Sequence, residues 1–353
     1  MLTFIIQRFF GLIITLLLVS VMIFIIMELP PGDYADRYVF RKYSGSGQVV
    51  SEADIQNVRV ELGLDRPGWQ RYLTWVGVYP SKPDLCVDRN HLDVGDNVYC
   101  GILQGNLGEA FSFETSVNIV IGQRIWLTLA VLFSTLVVTY VVSIPIGMYA
   151  AIQRHSAGDY ALTVMSYLGL ALPNFLLALA MLYVSVVYFD ASAGGLFSPE
   201  MEDEPWSFAK VWDMLQHLVV PAIVLAWSAT AFQIQTIRAT MLDEINKLSV
   251  TAARARGIPE FKLMMKYPAR LALNPVASSI GFDVNRIFGE LPIVALVLNL
   301  PELGELLLKS YIDQDMFVAG AILLILTTMI VLMNFISDIL LAILDPRIRL
   351  EGG

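Results

Sequence analysis

Six apolar runs, each long enough to cross a lipid bilayer, constrain this chain more than any other feature. They fall at about 9–29, 125–152, 160–188, 217–236, 275–299 and 316–344. A spanning helix needs about 20 predominantly apolar residues at ~1.5 Å of rise each. Composition agrees. Of 353 residues, 56% are hydrophobic and only 16% are charged, and the mean hydropathy is +0.63. A soluble domain carries about a quarter charged residues. The fourth run is the most dilute, because Trp227, Ser228, Gln233 and Gln235 interrupt it. A buried soluble helix is the other reading of that run alone. The first run is longer than the about 7–15 apolar residues of a signal peptide, and no small-x-small site follows it. The expectation is an all-α membrane protein with six transmembrane helices.

Charge assigns the two faces. Arg8 precedes the first run, and Arg154 sits in the short connection between the second and third. The connection between the fourth and fifth, residues 237–274, carries Arg238, Lys247, Arg254, Arg256, Lys262, Lys266 and Arg270 against Asp243, Glu244 and Glu260. The chain ends in "LDPRIRLEGG". Positive charge of this kind marks the cytoplasmic side. Both termini, including the tail 345–353, are therefore expected in the cytoplasm. The opposite face receives "FSPEMEDEPWSFAK", "PELGELLLKSYIDQD" and residues 30–124. Its acidic stretches read as solvated faces. The net charge of −9 argues against nucleic acid as a partner.

The outer loop 30–124 is too long for a plain connector. "SEADIQNVRVELG" reads as a capped amphipathic helix: Asp54 follows Ser51 by three residues and Gly63 closes it. "GWQRYLTWV" reads as a second, aromatic-rich helix. A small external subdomain between helices 1 and 2 is expected. The only two cysteines, Cys86 and Cys100, lie in it, where an oxidising compartment permits a disulfide. Closing so short a loop contributes about 3 kcal/mol in the chain-entropy model. A metal site is disfavoured, because His91 alone lies near and zinc wants four ligands.

Motifs for covalent chemistry are missing. The sequence holds no G-x-x-x-x-G-K-[ST], so it binds no ATP through a P-loop, and no H-E-x-x-H or G-x-S-x-G. Its three histidines, His91, His155 and His217, are scattered. His217 opens the fourth run and reads as an interfacial anchor. No cofactor is expected on this chain.

The basic connection holds "SVTAARARGIPEFKLMMKYPARLALNP". Ser249 can cap a short helix, and Gly257 suits its left-handed end. Ala252, Ala253 and Ala255 keep that helix thin, so another backbone can approach. Pro259 opens a second helix, with Phe261, Met264 and Met265 as an adaptable apolar face and Lys262 and Lys266 one turn apart. Pro268 and Pro275 are expected to stop it before the fifth run. Such a bend is a lipid-headgroup anchor or a docking element for a cytoplasmic protein; the thin face favours docking.

At this point the chain resembles a known family. Ala252-Ala253-x-x-x-Gly257, placed between late spans, is similar to the "EAA" loop of bacterial binding-protein-dependent ABC importers. More narrowly, the chain resembles the first permease subunit of the dipeptide/oligopeptide/nickel/opine branch. The resemblance runs nearly the whole length. It includes "PPGDYAD", "ELGLDRP", "GNLGEAF", "LALPNF", "HLVVPAIVLA", "IRATMLDEI", "TAARARG", "NLPELGELL" and "LLAILDPRIRL", in that order. It implies a type I importer permease fold in the bacterial inner membrane. It also implies a second homologous permease, two ATP-binding subunits carrying the ATP and Mg, and an external solute-binding protein. Docking to an ATPase groove then falls to Ser249, Thr251, Ala252, Ala253, Arg254, Arg256, Gly257, Pro259, Phe261 and Lys262. The sequence departs from the pattern at Thr251, where the acidic residue of the motif's name stands, and at Ala295, where a Glu is frequent. Pro301-Glu302-Leu303-Gly304 replaces Pro-Gly-Leu-Gly. "VLNLPELG" is similar to members linked to oligosaccharide uptake, while peptide is the commonest cargo of the branch.

The fifth run contains Asp283, Arg286 and Glu290, spaced to share one helical stripe. Counted from Pro275, Asp283 lies about 12 Å and Glu290 about 22 Å along the helix. Charges at that depth face protein or a water-filled cavity. Two readings stand: the stripe lines a translocation path, or it is a charge ladder tying helices together. Asn174 and Gln233 are candidates for the same path, and Pro292 is expected to kink the helix. A self-sufficient ion-coupled transporter or channel would also explain buried charges, but not the Ala/Gly bend.

Overall fold

The computed structural model describes residues 2–29, 39, 51–61, 63–81, 86, 92–95, 97–110, 112–113, 115–189, 194–313 and 315–344. The "PPGDYAD" stretch, His91 and the tail 345–353 lie outside the described residues. Helices dominate. They are α1 (Leu2–Glu28), α2 (Glu52–Glu61), α3 (Gly68–Val76), α4 (Val117–Ile152), α5 (Ala157–Ala171), α6 (Asn174–Phe189), α7 (Phe208–His217) and α8 (Val219–Ile245). They continue as α9 (Leu248–Ala255), α10 (Glu260–Lys266), α11 (Pro268–Leu298), α12 (Leu303–Ile312) and α13 (Met316–Leu344). Four short strands pair as two hairpins, β1 (Leu92–Val94) with β2 (Asn97–Tyr99) and β3 (Glu109–Ala110) with β4 (Thr115–Ser116).

Among the described residues, four helices are long and apolar enough to cross a membrane: α1, α4, α8 and α13. The other two expected spans are bent, and counting each bent pair as one span gives six. The third expected span breaks between α5 and α6 by 104°. Leu172, at the break, is extended (φ −91°, ψ 126°) because the ring of Pro173 drives the preceding residue out of the helical region. The fifth turns by 83° after Leu298. Asn299 takes a left-handed conformation there, and Glu302 closes the turn. Its Oε1 accepts from the Glu305 N–H at 3.1 Å, while its Oε2 accepts from Thr128 Oγ1 at 3.1 Å. Pro275 does not stop anything: α11 begins at Pro268 and runs through both Pro275 and Pro292. Pro268 takes the first turn, where its missing N–H costs nothing.

The chain divides into two compact units. One comprises Met1–Thr15, Trp126–Glu305 and Thr328–Gly353. Within it α8 is the central element, packed on α5, α6 and α11. Its polar dilution suits that place: Gln233 is wholly buried beside Ala229, Ile237 and Met241.

The other unit is Leu16–Ile125 with Leu306–Thr327, larger than the expected subdomain 30–124. The second half of α1 joins it by packing on α3. Phe24 stacks edge-on to Tyr72 (5.5 Å), Ser20 Oγ meets Tyr72 OH at 2.8 Å, and Arg71 pairs with Glu28 at 2.5 Å. Residues 306–327 join through Asp315, whose Oδ2 accepts from the Ser112 N–H at 2.9 Å. At the start of α2, Asp54 Oδ2 accepts from the Ser51 N–H and Ser51 Oγ from the Ala53 N–H, each at 3.2 Å. Cys86 and Cys100 are joined in a disulfide.

Candidate functional site

The basic connection folds into two short helices at a sharp turn. Lys247, extended (φ −70°, ψ 149°), precedes the first helical residue, and its side chain makes no capping bond. Ser249 is therefore not the cap; it lies exposed inside α9, because the helix starts at Leu248. Gly257 has φ +76°, a conformation costing other residues about 1–2 kcal/mol, and it lets the chain reverse. Pro259 stands immediately before α10. Arg254 spans the turn and grips Glu260 with both arms of its guanidinium, at 3.1 Å and 2.7 Å.

The bend has two distinct faces. Its underside, Val250, Ala253, Leu263 and Met264, packs on Ala151, Met241 and Ala272 from the ends of α4, α8 and α11. The helical repeat puts Ala253 on the same side as Val250, so Ala252 is presented outward and Ala253 is not. Met264 likewise turns inward, away from Phe261 and Met265. The outer face carries Leu248 (87% exposed) and Phe261 (80% exposed). Thr251, Arg256 and Lys262 are exposed around them.

The second site is a polar seam inside the bundle. Asp283 is buried, and its Oδ2 accepts from Tyr140 OH at 2.7 Å and from Gln233 Nε2 at 2.6 Å. Gln233 Nε2 also donates to Ser279 Oγ at 2.5 Å. Two turns along α11, Glu290 accepts from Asn174 Nδ2. Asn174 is the first residue of α6, so the break at Pro173 is what delivers it. Between the acids, Arg286 donates to the Ser228 carbonyl at 3.3 Å and lies over the Phe232 ring at 5.1 Å. All five residues singled out in the sequence thus lie along one seam, which ties α11 to α4, α6 and α8. The neighbouring face of α11, with Phe282, Asn285, Gly289, Ile293 and Leu296, is exposed.

Three contributors escaped the sequence reading. Tyr140 sits in an apolar run with no spacing that links it to Asp283. Leu248 resembles any other apolar residue. Asp159, buried at the start of α5, receives Arg238 of α8 through two hydrogen bonds of 2.6 Å and 2.9 Å. Charge counting found the arginine but not its partner 79 residues away. His217 does not open α8. It closes α7 and turns its ring to the Asp213 carbonyl at 2.9 Å.

Comparison with known proteins decides what this arrangement belongs to. The model of the binding-protein-dependent transport system inner membrane component matches residues 143–350, and that of its N-terminal part matches residues 1–132. The chain belongs to this family. The permease is similar to a putative peptide permease protein of Brucella ovis, 30% identical over 336 residues, or 95% of each chain. It is 29% identical to the oligopeptide transport system permease protein AppB of Bacillus subtilis, over 99% of this chain and 100% of that one. It is 28% identical to the glutathione transport system permease protein GsiC of Escherichia coli, over 99% of each. Among solved structures it resembles an inward-facing form of the MetNI methionine ABC transporter. That match has a TM-score of 0.51 at 19% identity, covering 64% of this permease and 96% of that chain. The fold is therefore that of an ABC importer permease. The permease works in an inner membrane with ATPase and solute-binding partners, and hydrolysis of ATP belongs to the partners.

Proposed function

We propose that this permease is one of two homologous membrane subunits of an importer that takes up peptides. Two ATP-binding subunits carry the ATP and Mg, and this chain binds neither. The observation that carries the reading is the two-faced bend. A surface loop needs no apolar floor, yet this one is seated on three helices and presents Leu248 and Phe261 outward. Apolar anchors ringed by positive charge suit a groove with an acidic rim on an ATPase. Force applied there passes directly into α4, α8 and α11. The termini and the bend lie in the cytoplasm, and a solute-binding protein meets the outer loops. Peptide is the cargo named for several relatives that match along their whole length. The exposed face of α11 meets the second permease along the path, and the seam beside it holds that face in position.

The test is ATP-driven uptake of a radiolabelled peptide into proteoliposomes holding the full complex and its binding protein. Phe261→Asp should abolish uptake and strip the ATPases from the permease in a mild-detergent pull-down, while the permease itself stays folded. Uptake that persists without ATPases overturns the reading. Uptake of oligosaccharide but not peptide reassigns the cargo.

A further inference from the structure

α7 is amphipathic the wrong way round for a helix in water. Its charged side chains, Lys210 and Asp213, and His217 point into the protein. Lys210 is buried, donates to the carbonyls of Glu202 and Glu204 at 2.8 Å and 2.5 Å, and lies over the Phe197 ring at 4.9 Å. Asp213 accepts from the N–H and the Oγ of Ser198, at 2.8 Å and 2.5 Å. Burial works against its charge, but the Ser198 donors and the neighbouring His217 outweigh burial and hold its carboxyl below the usual range. His217 completes the inner face.

The outward face is apolar. Phe208 is 86% exposed and Trp212 57%, and Val211, Leu215 and Val219 continue the same stripe. Trp206 flanks it, also exposed. The spacing of three and four residues is that of a single helical face. A soluble protein does not present such a stripe to water without a partner.

Continuity says what the partner is. Leu218 is helical (φ −69°, ψ −17°) and joins α7 to α8, whose first residue, Val219, belongs to a candidate membrane span. The apolar stripe therefore ends where a candidate membrane span begins, with Val219 as its last exposed residue. Tryptophan favours the boundary between headgroups and acyl chains. The exposed acids Glu200, Glu202, Asp203 and Glu204 lie on the segment that covers the polar side of α7.

We propose that α7 is a lipid-embedded interfacial helix. It lies in the outer boundary of the bilayer with Phe208, Trp212 and Leu215 among the acyl chains, and segment 194–206 is the water-facing cover over its polar side. Helices of this kind bury an apolar face about 5–10 Å into the boundary. This one has its polar face satisfied by the protein itself rather than by water. It would set the depth at which α8 enters the membrane and keep the acidic cover at a fixed height above the lipid.

Collision accessibility tests this in the assembled transporter, reconstituted in phospholipid nanodiscs. Single cysteines at Phe208, Leu215, Asp203 and Val141 are labelled with a nitroxide; the two native cysteines are bonded to each other. Val141, exposed in the middle of α4, is the control for membrane insertion itself. Labels at 208 and 215 should favour dissolved oxygen over a water-soluble nickel chelate several-fold more than the label at 203. A nickel-accessible label at both positions shows a water-facing helix and overturns the proposal. Low access to both reagents shows a protein partner over α7 and overturns it equally. A lipid signature absent at Val141 would sink the membrane reading of the fold instead. If either cysteine disturbs assembly, Trp212→Phe gives a second readout. Replacing the tryptophan should remove a share of the fluorescence quenching by brominated phospholipid, and unchanged quenching counts against lipid contact.

Discussion

Glu290 shows how one residue can be structural and functional at once. Its carboxylate holds Asn174 at the break between α5 and α6, yet it remains only partly buried. A buried acid whose partner is lost is costly, because a polar group without a partner in apolar surroundings costs about 1–3 kcal/mol. Glutamine keeps an acceptor oxygen for Asn174 and removes only the charge. Glu290→Gln should therefore leave the permease folded and assembled while changing the rate of peptide uptake. Co-purification of all subunits, measured beside uptake, separates the two effects. Loss of assembly would assign the residue to the scaffold alone. Asp283 differs from it: fully enclosed by Tyr140 and Gln233, it has the surroundings of a helix tie.

At the scale of elements, the α9–α10 turn depends on one glycine. An alanine at Gly257 would have open space for its side chain but a strained backbone at φ +76°. Gly257→Ala should cost the turn about 1 kcal/mol and tilt Phe261 relative to Leu248. The expected outcome is an ATPase rate that responds less to the loaded binding protein, measured in proteoliposomes with and without peptide. The sequence made these elements legible where one local cause dominates. Run length gave the spans, and Gly257 gave the turn. Misreadings arose where local rules compete. Ser249 is a good cap residue, but the helix begins earlier, at Leu248. Pro275 breaks most helices, yet in α11 the surrounding packing carries the helix through it. Pro173 carried the opposite signal, an extended residue before it, and the apolar run around it masked the break. The seam's outline was visible in the spacing of Asp283, Arg286 and Glu290. Asn174 and Gln233 were legible as polar residues in apolar runs, but Tyr140 was not, because it reaches the seam only through tertiary packing.

For the whole molecule, the central question is which surface is shared. The seam occupies one side of α11, and the exposed side next to it, from Phe282 to Leu296, is left for a neighbour. Gly289 lies on that side with nothing within 4 Å of the position a Cβ would take. Gly289→Trp should be neutral for the isolated permease and harmful to the complex. Unchanged thermal unfolding of the single chain, with loss of the second permease on co-purification, is the expected pair of results. An unaffected complex would move the shared surface elsewhere. The Cys86–Cys100 bond carries a consequence of another kind. Such bonds form and persist in oxidising compartments, so on the proposed topology this one records how the chain was threaded during synthesis. A copy inserted upside down would keep two thiols and could be told apart by chemistry alone, one molecule at a time. On the proposed topology the bond closes only after the outer segment has crossed, so it marks each correctly oriented copy.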